Sequence, residues 1–284
     1  MTTHAGLFAP IGRPRVMGVL NLTPDSFSDG GRWTSQDAAL GHAERMLADG
    51  ADLIDVGGES TRPGAARTPV EDELARVIPV VRRLARLGVV VSVDTMRARV
   101  AEEALAAGAT LVNDVSGGLA EPAILDVVAG AEAAYVAMHW RGHSDRMQDL
   151  AVYDAPGGVV GEVRAELAAR LEAIRAAGIP EGHVVLDPGL GFAKTAEHSW
   201  ALVSGLGELA GLGRPLLVGA SRKGFLGALL AARDGTPRPV GERDHAHTAL
   251  VVLLALRGVW GLRVHDVRDT MDALTVLTRV EGRA

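Results

Sequence analysis

Eight short apolar runs, each followed by polar or ionisable residues, constrain the fold of this chain more than any other feature. The runs are apolar throughout, as expected of strands covered on both faces, and helical patterns separate them. Eight such runs with helices between them predict eight parallel strands, and therefore an α/β fold made of a single (β/α)8 TIM barrel. The runs occupy residues 16–20, 53–56, 89–93, 110–112, 134–138, 184–186, 216–218 and 261–264.

The length of the chain agrees with one barrel. It has 284 residues, and a barrel of this kind typically takes about 250. Two smaller domains would fit the same length. A faint internal repeat argues against that division, because residues 50–58 and 108–118 both carry a helix-ending glycine, a strand and a glycine-rich loop. We predict an N-terminal extension over residues 1–14 and one barrel domain over residues 15–284.

The helix after the second strand has a clear start signal. Thr68 is the predicted N-cap, Pro69 stands at the first helical position, and Glu71 follows three residues after the cap. Pro79 falls inside the same apolar pattern and should either kink this helix or split it.

Composition excludes several classes of protein. The net charge is −6 and no run of five like charges occurs, so the basic face of a nucleic-acid binder is missing. Cysteine is absent, which excludes disulfides and thiolate metal sites and fits a reducing compartment. No apolar run reaches the roughly 18 residues of a membrane span, and residues 1–15 lack a signal-peptide pattern. We therefore expect a cytoplasmic protein with neither nucleic-acid nor membrane partners.

All eight predicted strands end in polar groups. One such residue is explained equally well by a helix cap or a loop hydrogen bond. Eight together favour a functional site, because the carboxyl ends of barrel strands meet on one face, where the active sites of this fold lie. The strand ends supply Asn21, Asp55 with Glu59, Asp94, Asn113 with Asp114, His139, Asp187, residues 221–223, and Arg263 with His265.

Charge and loop composition refine this prediction. Arg222, Lys223, Arg263 and His265 would form a cationic corner after the last two strands, where barrels of this kind commonly bind phosphate. Taken alone, the Arg-x-His pair is more often a surface ion pair than an anion site. Three glycine-containing loops follow the first, second and sixth strands, at residues 21–31, 57–64 and 187–194. We predict that the first of these loops is a mobile lid whose side chains bind the ligand.

Seven segments together resemble dihydropteroate synthase. Each is a modest motif, but all seven stand in the right order and at the right strand ends, and the resemblance covers roughly residues 15–278. The segments are residues 21–31, 57–64, 92–94, 113–117, 187–192, 221–223 and 263–266.

The resemblance implies a condensation of 6-hydroxymethyl-7,8-dihydropterin diphosphate with p-aminobenzoate. We expect an SN1-like path, because the electron-rich pterin can delocalise a positive methylene carbon. It places the pterin against Asp94, Asn113, Asp187 and Lys223, and the diphosphate at Asn21, Arg263 and His265. Asn21 would hold Mg²⁺, the implied cofactor. The p-aminobenzoate would lie near Thr61, Arg62, Pro63, Phe192, Ser221 and Lys223. The catalytic set would be Asp25, Asp29, Lys223, Arg263 and His265, with the two first-loop acids stabilising a pterin cation.

Two other functions compete with this one. A pterin-dependent methyltransferase shares the pterin pocket, but it works with a corrinoid partner and does not need residues 61–63 or 221–223. A binding or regulatory paralogue would keep the barrel and lose the condensation. The resemblance further implies a homodimer whose partners are small-molecule substrates, and inhibition by sulfonamides, which mimic p-aminobenzoate.

Overall fold

A computed structural model describes residues 4–23, 32–60, 64 and 67–282. It contains eight parallel strands: β1 (Arg15–Asn21), β2 (Leu53–Gly57), β3 (Val91–Asp94), β4 (Leu111–Asp114), β5 (Ala134–Met138), β6 (Val184–Asp187), β7 (Leu217–Val218) and β8 (Gly261–Val264). Their order in the sheet is β6-β5-β4-β3-β2-β1-β8-β7. A parallel bridge between Leu186 and Leu216 joins the two edges and closes the cylinder. The predicted TIM barrel is confirmed.

Helices cover the outside of the barrel. Their apolar faces and the outward side chains of the strands form one continuous core. None of the helices in the described part of the chain is long and apolar enough to cross a membrane. The helices are α1 (His4–Phe8), α2 (Arg32–Ala48), α3 (Val70–Arg86), α4 (Ala98–Ala106), α5 (Ala123–Gly130), α6 (Gly158–Ala176), α7 (Ala196–Ser204), α8 (Leu206–Ala210), α9 (Gly224–Leu229), α10 (Asp244–Leu256) and α11 (Val267–Glu281), with 3-10 turns at Met147–Leu150, Glu181–His183 and Val240–Glu242.

Helix α3 departs from its predicted start. The N-cap is Pro69 rather than Thr68, and no side chain caps the helix. The Thr68 prediction was wrong because Pro69 has an extended ψ of 144° and its carbonyl accepts from Asp72 N and Glu73 N. Pro79 does not split the helix, which continues unbroken to Arg86.

Side chains alternate between the two faces of each strand, and this period of two separates the outer core from the barrel interior. In β2, Ile54 and Val56 belong to the outer core, whereas Leu53 packs inside the barrel. Asp55 is the next residue on the inner face, toward the carboxyl end. The same step along the inner face leads from Leu111 to Asn113 and from Val185 to Asp187. The inner face is therefore apolar at its amino end and polar at its carboxyl end.

Helix α1 closes the amino end of the barrel. Leu7 is 4% exposed and packs in the inner cluster with Met17, Leu53 and Leu111. Arg15 Nη2 donates to the carbonyls of Gly6 and Ala9 at 2.6 and 2.9 Å. The segment predicted as an N-terminal extension thus supplies part of the interior packing.

We predict that Leu7→Ala lowers the free energy of unfolding by about 2–3 kcal/mol, because it leaves a cavity at the end of the barrel. Urea denaturation measures this change. Leu87→Ala is the control, since Leu87 is 59% exposed and its truncation should change stability by no more than about 0.5 kcal/mol. Equal effects of the two substitutions would show that α1 does not stabilise the barrel.

Candidate active site

Polar side chains from neighbouring strands meet inside the carboxyl end of the barrel. The strand register sets Asp55 beside Ser92, and Asp94 beside both Gly57 and Asn113. These four residues all occupy inner-face positions of their strands, because side chains alternate between the two faces. Their side chains therefore point toward the barrel axis. Asp55, Ser92, Asp94 and Asn113 are all buried. Polar groups buried so close together need hydrogen-bond partners within the barrel.

Arg263 of β8 joins this group from the other side of β1. Its Nε donates to Asp55 Oδ2 at 2.6 Å, and its Nη2 donates to Asp94 Oδ2 at 2.7 Å. Asp55 also accepts from Ser92 Oγ at 2.6 Å and from Asn113 Nδ2 at 2.9 Å. Asp55 is therefore the centre of a hydrogen-bonded network that spans β2, β3, β4 and β8.

Burial and charge shift the ionisation of this network. Burial raises the pKa of Asp94 to about 7, against the opposing effect of the Arg263 guanidinium and with a further increase from Asp55. Burial alone would lower the pKa of Arg263, but the Asp55 and Asp94 carboxylates leave it above its ordinary value. Arg263 thus stays cationic, while Asp94 titrates close to neutral pH.

Asp187 and Lys223 form a second part of the site, after β6 and β7. Asp187 Oδ1 accepts from Gly189 N at 2.7 Å, and burial raises the pKa of this carboxyl although Lys223 opposes the shift. Burial lowers the pKa of Lys223 to about 8, with Asp187 acting in the other direction. A Cβ at Gly219 would lie 3.7 Å from Arg263 Cβ and 3.9 Å from Lys223 Nζ. That glycine brings the two cations to one wall of the mouth.

The loop after β6 places an aromatic ring beside Lys223. The Lys223 ammonium lies 4.7 Å from the centroid of the Phe192 ring and donates to the carbonyl of Leu190. Gly191 is left-handed, with φ of 77°, and a Cβ there would lie 3.5 Å from Lys223 Cδ. The turn thus needs glycine at the point where the lysine side chain passes.

The rim of the mouth is formed by β1, β8 and the loop after β7. Ser221 Oγ lies 3.1 Å from His265 Nδ1 and accepts from His265 N at 3.3 Å. Arg222 has a left-handed φ of 62°, and Arg243 Nη1 donates to its carbonyl at 2.9 Å. Asn21 is the half-buried last residue of β1 and pairs with Gly57.

Two of the predicted strand-end acids serve the structure instead. Asp114 belongs to β4 but faces away from Asn113, and it accepts from Ser116 N, Gly118 N and Tyr135 Oη at 2.7–2.8 Å. Glu59 pairs with Arg67 and Arg97 at 3.0 and 3.1 Å. Cap and loop bonds account for both.

The structure brings most of the predicted site residues to one mouth. Arg263, which the resemblance assigned to a diphosphate, bonds Asp55 and Asp94 there. The residues that meet are Asn21, Asp94, Asn113, Asp187, Phe192, Ser221, Lys223, Arg263 and His265. Asp25, Asp29, Thr61, Arg62 and Pro63 lie outside the described residues.

Sequence reasoning counted Asp55 among the polar strand-end residues but gave neither it nor Ser92 a specific role. A signal was present, because Asp55 is an acid within the apolar run 53–56 and Ser92 occupies the same kind of position in the next run. Two further buried groups, His139 and Lys194, lie behind the loop after β6, with Lys194 Nζ 2.8 Å from His139 Nδ1.

The described residues do not form a protein-built metal cage. Nowhere among them do three His, Asp or Glu side chains lie close enough together to hold an ion. Asn21 offers one amide oxygen. Such a donor set fits a Mg²⁺ that is held mainly by substrate phosphates and water, and does not fit one that the protein binds alone.

Comparison with known proteins agrees with this geometry. Residues 17–265 match the family described as pterin binding enzyme. The dihydropteroate synthase of Mycobacterium leprae is 54% identical over 265 residues, which are 93% of this chain and 92% of that protein.

Two solved structures of the Xanthomonas albilineans dihydropteroate synthase are similar throughout. The one with 4-aminobenzoic acid has a TM-score of 0.87 and 45% identity, covering 98% of this chain and 96% of that one. The complex with 7,8-dihydropteroate has a TM-score of 0.84 and 42% identity, covering 98% and 97%. This chain therefore belongs to the pterin binding enzymes and, within them, to the dihydropteroate synthases, which are transferases.

Proposed function

We propose that this chain condenses 6-hydroxymethyl-7,8-dihydropterin diphosphate with p-aminobenzoate, giving 7,8-dihydropteroate and pyrophosphate for folate biosynthesis. The observation that carries the proposal is that the buried Asp94, Asn113 and Asp187 share one mouth with the half-buried Lys223 and with Arg263. The structures of the X. albilineans relative with 4-aminobenzoic acid and with 7,8-dihydropteroate support the same substrates here.

The pterin pocket follows from donor and acceptor chemistry. A pterin presents N–H donors along its cyclic guanidine edge, which the Asp94 and Asp187 carboxylates accept, and a carbonyl that suits the Lys223 ammonium. Asn113 gives its N–H to Asp55, so its amide oxygen is turned to accept from the ligand. Asp55 acts through its neighbours, because it fixes the orientation of both Asn113 and Arg263.

The diphosphate would lie at the rim, beside His265 and the outer edge of Arg263. One N–H each of Nε and Nη2 of Arg263 is bonded to a carboxylate, which leaves both N–H groups of Nη1 and the second of Nη2 to donate to phosphate oxygens. Held in this way, the guanidinium is oriented before the substrate arrives. Preorganised donors of this kind stabilise negative charge as it develops on a leaving group.

Mg²⁺ would be held by Asn21 together with the diphosphate. When bound, it supplies positive charge that neutralises the diphosphate oxygens. The protein's own contribution at this position is a single neutral oxygen ligand, so we expect the metal to enter with the substrate.

The amine requires little activation. An aromatic amine is largely unprotonated near pH 7, so the difficult step is breaking the C–O bond, in which pyrophosphate leaves with the electron pair. The pterin ring can delocalise the resulting positive methylene carbon, which favours an SN1-like path. The amine nitrogen then bonds to that carbon and its proton passes to solvent. We assign Asp25 and Asp29 to stabilising the cation, and lid closure over the mouth to excluding water.

The p-aminobenzoate pocket would lie between Phe192, Ser221 and Lys223, with Thr61, Arg62 and Pro63 completing it. The Phe192 ring offers an apolar face to the aromatic ring of the substrate. The Ser221 hydroxyl and the Lys223 ammonium suit its carboxylate.

We further propose a cytoplasmic homodimer. The chain has no cysteine, which fits a reducing compartment. Adjacent helices α10 and α11 expose Leu253, Leu256, Val276 and Val280, each more than half exposed. Exposed apolar side chains on neighbouring helices fit an interface with a second copy.

The proposed reaction predicts pyrophosphate release that depends on p-aminobenzoate. Purified protein with the pterin diphosphate and Mg²⁺ should release pyrophosphate in sustained turnover only when p-aminobenzoate is present, with one dihydropteroate formed per pyrophosphate. A coupled phosphate assay and chromatography measure the two products. Pterin binding without release would indicate a binding paralogue, and methyl transfer to a corrinoid partner would indicate the competing enzyme class.

The SN1-like path predicts positional isotope exchange. With ¹⁸O in the bridging C–O–P oxygen and no p-aminobenzoate, the label should move to non-bridging positions of the same phosphate. This happens because the leaving group rotates and recombines before water enters. Mass spectrometry or ³¹P NMR of the recovered substrate measures the exchange. A label that stays in place while condensation proceeds normally would favour concerted displacement.

The shifted pKa values of Lys223 and Asp94 predict that pterin binding depends on pH. Its ammonium form is lost as pH rises through about 8, and the Asp94 carboxylate is lost as pH falls through about 7. Affinity should therefore be greatest between these values and fall on both sides.

Calorimetry from about pH 6 to about pH 9 measures the two limbs. Lys223→Ala should weaken binding of pterin and of p-aminobenzoate by about tenfold or more, the effect of losing a charged hydrogen bond. It should also remove the alkaline limb while keeping the acid limb. An alkaline limb that persists in the variant belongs to another group.

A further inference from the structure

The chain contains only two lysines among its 29 Lys and Arg residues, namely Lys194 and Lys223. They lie on either side of the same short loop. The Lys223 ammonium contacts the Phe192 ring, whereas the Lys194 Nζ donates to the Phe192 carbonyl at 2.9 Å. Lys223 already belongs to the proposed substrate pockets. The Lys194 Nζ bonds His139 and the Phe192 carbonyl, and the mechanism above does not use it.

Lys194 is buried to an unusual degree for a lysine, at 3% exposed. A buried ammonium is costly unless acceptors surround it. Its second acceptor is His139 Nδ1, at 2.8 Å. The other ring nitrogen of His139 lies 2.8 Å from Glu166 Oε2. Because the Glu166 carboxylate can only accept, Nε2 of His139 carries the proton and donates to Glu166. The Nδ1 lone pair is then directed at Lys194.

The imidazole is neutral, as this arrangement requires. Burial lowers the pKa of His139 to about 4, and the charge of Lys194 lowers it further. Glu166 is held in turn by Arg141, whose guanidinium bonds both Glu166 and Glu162 of helix α6. A chain of polar contacts thus runs from α6 on the outside of the barrel to the carbonyl of Phe192.

The neighbouring carbonyls of the loop are fixed as well. Tyr153 Oη donates to the carbonyl of Ala193 at 2.9 Å, and Lys223 donates to that of Leu190. Ala193 adopts a left-handed φ of 48°, which costs energy for a residue with a Cβ. Such strain persists only where surrounding contacts hold it. The direction of the Phe192 side chain therefore depends on how this backbone is held.

We infer that Lys194 is a positioning residue for the p-aminobenzoate pocket, because its bond to the Phe192 carbonyl sets the ring that would form one wall of that pocket. The inference rests on the proposed function. His139 and Glu166 serve Lys194, since Glu166 holds the imidazole so that its Nδ1 accepts from the Lys194 Nζ. Lys194 itself does not touch either substrate.

Stability alone does not account for this lysine. An apolar side chain of similar length would fill the same space without burying a charge, and such replacements are often neutral or stabilising. A methionine would keep the volume but would leave the Phe192 carbonyl unbonded. The difference between the two side chains is therefore the orientation of the loop.

Lys194→Met separates the two roles. We expect the KM for p-aminobenzoate to rise about tenfold, because the Phe192 carbonyl loses the donor that orders the loop, while the KM for the pterin diphosphate changes by less than about twofold. The melting temperature should stay within a few degrees of the wild type. A KM for p-aminobenzoate that does not change, or two KM values that rise together, would overturn the inference.

Two more variants complete the experiment. Tyr153→Phe removes one hydroxyl from the adjacent Ala193 carbonyl, and we expect the same selective rise in KM with a smaller size. If Lys194→Met does not fold, Tyr153→Phe takes its place as the test. An unchanged KM for p-aminobenzoate in Tyr153→Phe would then count against the inference. Arg257→Met is the matched control, because Arg257 donates to the Val203 carbonyl at 3.0 Å outside the mouth. It should leave both KM values unchanged.

The wild-type protein distinguishes the two levels of failure. If it does not release pyrophosphate with p-aminobenzoate, the proposed function fails. If it turns over and Lys194→Met retains its KM for p-aminobenzoate, only the positioning role fails.

Discussion

The ion pair between Arg263 and Asp55 is the interaction on which the mouth of this barrel depends. It joins β8 to β2 across the interior, between residues 208 positions apart. Asp55 is fully buried, so removing its partner would leave an uncompensated charge inside the barrel. Breaking a buried ion pair in this way typically costs about 3–5 kcal/mol of stability. The pair also orients Asn113 and brings Asp94 onto the same guanidinium. Position and ionisation of the site are thus set by one contact.

Closure of the sheet makes such a contact possible. Strand alternation sends every second side chain inward, and the apolar layer of Met17, Leu53, Leu111, Val185 and Leu217 fills the amino end. Leu7 of α1 seals that end. Polar residues two positions further along each strand can then face only one another or the open mouth. Because apolar side chains fill the amino half of the interior, the polar side chains of the carboxyl half form a hydrogen-bonded network with one another.

The sequence predicted the eight strands, the barrel they form and the end of the barrel at which polar side chains meet, because these follow from apolar runs and from the position of polar residues after them. It could not separate Asn113 from Asp114, although they are neighbours. Only the strand register shows that one faces the barrel axis and the other the loop of Ser116 and Gly118. Arg263 was likewise assigned by its place near the carboxyl end of β8, whereas its carboxylate partners come from β2 and β3. Contacts between residues so distant in sequence leave no local signal, as Lys194 and His139 also illustrate.

The balance of charge inside the mouth accounts for where each part of the proposed substrate would bind. Among the described residues of the inner network, Asp55, Asp94 and Asp187 carry three acidic groups, against the two cations Arg263 and Lys223. A pocket with an excess of acceptors suits a ring that offers N–H donors and develops positive charge at its methylene carbon. The same excess would repel a diphosphate, which therefore fits the rim beside His265 better than the interior. Bond breaking would then separate charge along the gradient that the protein already holds, because the cation remains above the carboxylates while the anion leaves toward solvent.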